Sequence, residues 1–504
     1  MSTLAAASGT PSIEVTLRTT ARHFVIRGPM DMQFCSQKFF LFFLLIFTLY
    51  WALPWRRVRV GLLLVASFYF YASWNKWLAL LICGSTLLDY LLALGMERST
   101  APWRRRLLLC VSLLANLGLL CYFKYANFFL LSLHDALKVV GLSVWFRPLN
   151  VLLPVGISFY TFEAINYMVD VYRRRIPAER NLGDFMLFIL FFPHLIAGPI
   201  VRARDFLPQI KRPKRWSWGR MYLGTGYFLM GLVKKLAIAD RMAEYVDPVF
   251  ADPSVYRGSA IVFAAIAYAV QIYGDFSGYS DMAIGTAHML GYKLARNFNM
   301  PYLADNIADF WHRWHISLSS WLRDYLFIPL GGSRGSRWQT ARNLLITMTL
   351  GGLWHGASWT FVFWGVLHGW FLVLHRLFRD FNKGRLRLEQ FLHSGLGRLL
   401  CTLLTFSCVT VGWVFFRATT FGTAFTLLYR VAVWHSGLGT PIPLLNLRCT
   451  LLFLAICHAV AYWVPWRKLW RVPAPIQGFV YAAALVLAQV LAPDNGKVFI
   501  YFQF

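Results

Sequence analysis

Apolar runs approaching the thickness of a bilayer recur from Phe39 to the C-terminus, and that recurrence constrains the chain more than any motif in it. A helix rising ~1.5 Å per residue needs about 20 predominantly apolar residues to cross hydrocarbon. Roughly ten to twelve spans are expected from runs near residues 39–53, 60–74, 77–95, 107–123, 149–170, 185–200, 221–240, 258–273, 339–353, 356–375, 397–416, 450–465 and 476–492. Hydrophobic residues make up 58% of the 504 positions and charged residues 14%, more apolar mass than a soluble core requires. An all-α polytopic membrane protein is therefore expected. Some runs are short or broken by Gly and Pro. PHLIAGP around Gly198 carries a proline at each end and is expected to be re-entrant, which backbone tolerates at membrane depth only under a cover of protein or water.

Lys and Arg number 50 against 22 Asp and Glu, a formal charge of +28. The basic residues sit in short loops between apolar runs, as at Arg56, Arg57 and Arg59, Arg104 to Arg106, and Arg173 to Arg175, where they follow the positive-inside rule and meet anionic lipid. No basic stretch is long enough to track a nucleic-acid groove, so the bilayer and not nucleic acid is the expected partner. The loop after the first span holds three arginines, the next only Lys76, and the third Arg98 and Arg104 to Arg106; this alternation places the N-terminus of the first span outside.

Eight cysteines show no CxxC or other metal spacing, and Cys83, Cys110, Cys121, Cys401, Cys408 and Cys457 lie within apolar runs. They read as small buried hydrophobes, with neither a disulfide frame nor a metal expected. Residues 1–31 have little apolar periodicity and read as a disordered lead-in, with Met30 or Met32 as a candidate start and no A-x-A cleavage site after the Phe/Leu-rich run.

Histidines set among tryptophans in segments fit for hydrocarbon are costly, and an ionisable ring there is by default a functional-site hypothesis. His312, His315 and His355 are the three that matter. On a helix at ~100° per residue, Asp309 to Phe327 gathers Phe310, Trp311, Trp314, Leu318, Trp321, Leu322 and Tyr325 on one side. Asp309, His312, Arg313, Ser319, Ser320, Arg323 and Asp324 fall on the other, with His315 on the shoulder. One amphipathic helix in or near the interface is expected, and a plain interfacial anchor explains the pattern equally well. His355 sits where LLITMTLGGLW meets GASWTFVFWGVL, with Gly351, Gly352 and Gly356 removing bulk around it. Burial disfavours imidazolium, so a neutral ring is expected, the form a general base for hydroxyl chemistry takes. A structural histidine bonded to a backbone carbonyl is the competing reading. His368 and His375, nearer the basic Arg376 and Arg379, read as interfacial.

Two further polar groups stand in apolar surroundings. Asp275, Ser277, Tyr279, Ser280 and Asp281 accompany Gly274 and Gly278, which imply a kinked or closely packed segment. Glu163, Asn166 and Asp170 are spaced i, i+3 and i+7 on an expected span, where they either pair and hold helices together or line a polar passage. No phosphate-binding Gly-rich loop, HExxH or GxSxG is present, and no serine and nearby histidine make a convincing nucleophile dyad in sequence, so a covalent serine intermediate is not expected.

Seven segments in order resemble the membrane-bound O-acyltransferase superfamily, in its bacterial alginate O-acetyltransferase branch, which is similar to the D-alanyl transfer protein of teichoic acid modification. They are LPVGISFYTFEAINYMVDVYRR at 153–174, FFPHLIAGPIVRARDFLPQI at 191–210, DFSGYSDMAIG at 275–285, FWHRWHISLSSWLRDYLFIPLGG at 310–332, GGLWHGASW at 351–359, VFFRA at 414–418 and the terminal FIYFQF. The resemblance runs from Met32 to Phe504 as one domain and leaves 1–31 without a counterpart. It implies a ring of transmembrane helices, with re-entrant and interfacial helices around a central acyl passage, in the bacterial inner membrane. By resemblance His355 matches the essential embedded histidine and His315 the second characteristic one. His312 stands where relatives often carry Arg, and no role is carried over to it.

The resemblance further implies that an acetyl group passes from a cytoplasmic thioester, acetyl-coenzyme A or an acyl carrier protein, to a secreted polysaccharide such as alginate or cellulose. A separate periplasmic transferase and the polymer's machinery are expected partners, and no permanently bound cofactor is expected. His355 is expected to act as general base or to position the thioester carbonyl, with His315 orienting or polarising its partner. Arg323 and the basic stretch at 202–220, with Arg202 and Arg204, are candidates for holding donor phosphates. The alternatives are an acyltransferase for lipid or protein hydroxyls, and a transporter, for which the internal repeat such folds carry is missing after residue 300.

Overall fold

The computed structural model of the chain describes residues 32–142, 144, 147–441, 448, 452, 473–492 and 499–500. The lead-in at 1–31 and nearly all of the expected span at 450–465 lie outside the described residues. Within them the architecture is all-α, with no β-strand and one isolated bridge between Tyr256 and Leu438.

The chain runs through α1 (Gln37–Ala52), α2 (Arg56–Ala72), α3 (Lys76–Arg98) and α4 (Pro102–Leu120), which passes through a π-helical turn at Cys121–Tyr125 into α5 (Ala126–Val139). After α6 (Ile157–Tyr172) come the short α7 (Leu182–Leu190), α8 (Phe192–Leu195) and α9 (Ala203–Lys211). Then α10 (Trp218–Val233) leads through a second π turn, Lys234–Ala239, to α11 (Asp240–Ala251) and the long α12 (Gly258–Met289). The remainder is α13 (Ile307–Arg313), α14 (Ile316–Leu322), a third π turn at Arg323–Phe327, α15 (Arg337–His355), α16 (Trp359–Asn382), α17 (Leu386–His393), α18 (Gly395–Arg417), α19 (Phe421–Ala432) and α20 (Ala474–Leu491).

Six of the described helical segments are long and apolar enough to cross a bilayer: Lys76–Arg98, Pro102–Val139, Gly258–Met289, Trp359–Asn382, Gly395–Arg417 and Ala474–Leu491. The ten to twelve expected spans are not reached among the described residues, where Gln37–Ala52 and Arg56–Ala72 are unbroken but shorter and other apolar runs are interrupted. Residues 149–156 are not helical, and α6 begins only after Gly156, whose φ of 77° and contact with the Leu195 carbonyl suit no larger residue. The run at 185–200 divides at Phe191 into α7 and α8, and every residue from Phe188 to Val201 is buried, so PHLIAGP lies under protein as a re-entrant segment must.

Burial separates centre from rim. In α12 72% of the apolar window is buried, against 17% in Pro102–Val139, so α12 is a central post and α4 to α5 a lipid-facing wall. Exposed Leu107, Leu114, Leu117 and Phe129 are what such a wall presents to acyl chains. Against α12 lies α10, and the two backbones touch through Gly224 and Gly231 on one side and Gly278 and Gly285 on the other; a Cβ at Gly278 would stand 2.7 Å from the Gly231 oxygen. Small residues permit that approach, and van der Waals packing is what joins helices in lipid. Gly278 therefore serves close packing and not a kink, since α12 is unbroken.

Candidate active site

His355 is the last residue of α15. The helix starts on a full capping box, Ser336 with Gln339, and ends because Gly356 turns extended, with its N–H still bonded to Gly352. Gly352 lets α15 lie against the backbone of α16 at Gly365, and a Cβ at Gly356 would collide with the Phe361 ring. The glycines thus bring the ring against its neighbours: Trp354 at 5.0 Å between centroids, Trp364 at 5.1 Å and Phe416 at 5.2 Å, all edge-on.

His315 does not ride a continuous amphipathic helix. That helix is broken: α13 stops at Arg313, α14 starts at Ile316, and His315 between them has a left-handed backbone, φ 43°. A non-glycine residue held there is strained, and such strain collects at functional sites. Asn297, from the loop before α13, over-determines the break. Its carbonyl accepts from Ile316 N at 2.8 Å, while its side-chain oxygen accepts from Ser317 N at 3.2 Å and Ser317 Oγ at 2.9 Å, and lies 3.0 Å from His315 Nδ1. Because the Ser317 N–H can only donate, the Asn297 atom is oxygen, and His315 Nδ1 must donate to it. The neutral ring then keeps its lone pair on Nε2, which has no hydrogen-bond partner among the described residues.

The two rings stand 6.5 Å apart between centroids, with Trp354 6.0 Å from His315 and Phe276 edge-on at 4.6 Å. Both rings are buried, His315 at 0% exposure and His355 at 3%. The pair thus sets a ring nitrogen with a fixed lone pair near a second buried imidazole in apolar surroundings.

The other candidates divide. His312 is exposed on α13, away from the pair. Arg202 is buried against Asp324 at 3.1 Å and lies over the Tyr325 ring at 4.7 Å. Arg204 and Arg323 keep side-chain exposures of 47% and 57% while touching Asp205 and Asp324. The stripe on α6 is fastened to the re-entrant segment: Glu163 accepts from Val201 N at 2.9 Å and faces His194 Nδ1 at 3.2 Å, Asn166 donates to the Val201 carbonyl, and Asp170 meets Tyr325 at 2.8 Å and Arg175 at 3.4 Å. Asp275 and Asp240 share Lys235 at 2.8 Å each, and Asp275 also accepts from Ile500 N near the C-terminus. His368 is not interfacial but fully buried, 4.7 Å from Trp364 and 5.3 Å from Trp311, because α16 turns that face inward onto α13 and α18. His375 is half-buried.

Asn297, His194 and Lys124 escaped the sequence reading. Asn297 had no signal beyond an asparagine in the polar stretch ARNFNMP, whereas His194, in FFPHLIAGP, shared with His355 the mark of a histidine in an apolar run, with prolines and not glycines on either side. Cys110 and Cys121 face outward and not inward, and the described cysteines are all free. Among the described residues no group of three His, Cys, Asp or Glu is placed to hold a metal.

Residues 107–384 match the membrane-bound O-acyltransferase family, MBOAT. The chain is 40% identical to a protein of Azotobacter vinelandii named "Probable alginate O-acetylase AlgI", over 92% of this chain and 93% of that one. It is 37% identical to the peptidoglycan O-acetyltransferase of Helicobacter pylori, over 73% and 72%, and 27% identical to the teichoic acid D-alanyltransferase of Bacillus subtilis, over 54% and 71%. With the family's match covering more than half its length, and two histidines buried near one another in an apolar interior, this chain belongs to the membrane-bound O-acyltransferase family.

Proposed function

We propose that this multi-pass O-acyltransferase takes an acetyl group from a thioester at the cytoplasmic face of the bacterial inner membrane and moves it across the membrane, onto an acceptor hydroxyl, for O-acetylation of a secreted, alginate-like polysaccharide. The observation that carries the reading is the histidine pair: two buried imidazoles 6.5 Å apart, one with its lone pair fixed by Asn297. His315, held in one tautomer by Asn297, stands behind His355 and steadies the charge that develops there, while a ring nitrogen of neutral His355 serves as the base. That nitrogen removes the acceptor's hydroxyl proton, the oxygen attacks the thioester carbonyl, the C–S bond breaks, and the departing thiolate takes up the proton. General-base assistance of this kind contributes about 10²–10⁴-fold.

In this reading Arg204 and Arg323 meet donor phosphates, with Arg202 steadying Asp324 behind Arg323. Support for a common basic face comes from Arg56 and Arg59. They reach the Ile210 and Lys214 carbonyls at 3.3 and 2.9 Å, which sets the first arginine loop beside the basic stretch at 211–215. The acceptor is inferred from relatives named for alginate and for peptidoglycan, and a periplasmic transferase completes the modification.

The test uses inside-out membrane vesicles containing the protein, with the periplasmic transferase and the polymer enclosed in the lumen. Labelled acetyl-coenzyme A supplied from the outside should put alkali-labile acetyl ester on luminal polysaccharide. Label moving from palmitoyl-coenzyme A to lipid or protein would replace this reading with another acylation, and solute flux without any acyl donor would replace it with transport.

A further inference from the structure

Lys124 lies inside the 38-residue apolar segment Pro102–Val139, in the π-helical turn Cys121–Tyr125. Its ammonium donates to the Trp354 carbonyl at 2.7 Å, the His355 carbonyl at 3.1 Å and Ser158 Oγ at 3.4 Å. Three N–H groups meet three acceptors, none of them a carboxylate. The next residue, Tyr125, donates its hydroxyl to the Leu353 carbonyl at 3.0 Å. One turn of one helix therefore covers three successive carbonyls at the end of another, the groups an α-helix leaves open at its C-terminus.

Two features make this more than an end cap. Adjacent residues on an α-helix point ~100° apart, yet Lys124 and Tyr125 reach the same helix end. A π turn has the extra backbone to re-aim them, and such turns are frequent at functional sites. The capped helix end is also that of the proposed base. A cation at a helix C-terminus gains from the helix dipole, and this offsets the cost of placing an ammonium in an apolar wall.

We propose that Lys124 is a positioning residue for acyl transfer: it clamps the last turn of α15 and fixes where the His355 ring stands relative to His315. Ser158 ties the clamp to α6, and Trp354 Nε1 donates to the Ser158 carbonyl at 3.3 Å, so α6, the π turn and α15 meet at one point. Loosening it displaces the imidazole while leaving substrate contacts in place. The proposal rests on His355 being the base.

The experiment measures acetyl transfer by full-length Lys124→Met, Lys124→Arg and Tyr125→Phe proteins in native membranes, with His355→Ala alongside. Lys124→Met should lower kcat by about tenfold or more, since ~1 Å of misplacement can cost ~10²-fold. Donor KM and the melting temperature in detergent should stay near wild type. Lys124→Arg should restore most of the rate, and Tyr125→Phe, which frees only the Leu353 carbonyl, should change it little. If Lys124→Met does not reach the membrane, Lys124→Gln is read by the same criteria. Wild-type kcat in Lys124→Met, or in Lys124→Gln where that variant is read, with His355→Ala inactive overturns the clamp alone; an active His355→Ala overturns the base assignment beneath it.

Discussion

The carboxylates buried on α6 and α12 and the histidines at 315 and 355 pay the same desolvation cost, but they differ in what they hold. Glu163, Asn166 and Asp170 fasten α6 to the re-entrant segment and to Tyr325, and Asp275 with Asp240 encloses Lys235. His315 spends only Nδ1 on structure, and its Nε2 is left over among the described residues. Polarity in an apolar interior thus does not by itself identify chemistry. A carboxylate bound to a counter-ion or to backbone N–H groups is a fastening even where, as at Glu163 Oε2, one oxygen has no partner among the described residues, whereas a neutral imidazole fixed at one nitrogen keeps a base on the other.

The contrast can be broken most forcefully at Lys235. Lys235→Met leaves Asp240 and Asp275 buried without that cation, and losing one partner of a buried ion pair costs about 3–5 kcal/mol. Folded protein recovered on size exclusion should fall sharply, while whatever folds keeps its transfer rate per molecule; full recovery would mean that the trio fastens nothing. Asn297→Ala should act the other way round. Without its acceptor the His315 ring is released, and loss of an orienting hydrogen bond costs about 10–100-fold in comparable supporting shells; transfer per folded molecule reports it. The smallest effect is expected at Glu163→Gln, which keeps an oxygen for Val201 N. Melting should drop by what about 1–3 kcal/mol implies, with transfer nearly unchanged, and a large loss of rate would move Glu163 from fastening to chemistry.

Much of this was legible in the residues. Apolar runs separated by arginine loops announce a polytopic α-helical protein, and a histidine flanked by glycines where two such runs meet marks His355. The break at His315 was not legible, because apolar residues keep a 3.6-residue period across Asp309 to Phe327 whether or not one backbone angle inverts. What inverts it is Asn297, 18 residues earlier in the chain, through contacts that periodicity does not encode. Lys124 was missed for a related reason. The apolar run of 107–123 ends just before it, so the lysine reads as a flanking charge, while the helix in fact continues through a π turn to Val139. His368 was misjudged from its nearness to Arg376 and Arg379, although those arginines lie two and three turns further along α16.

The most direct test of the account is acetyl transfer by His355→Ala in membranes, normalised to folded protein. A loss of about 10²-fold or more with unchanged melting and normal binding of the thioester is the expected result. Transfer at the wild-type rate would show that the imidazole at position 355 moves no proton in this reaction.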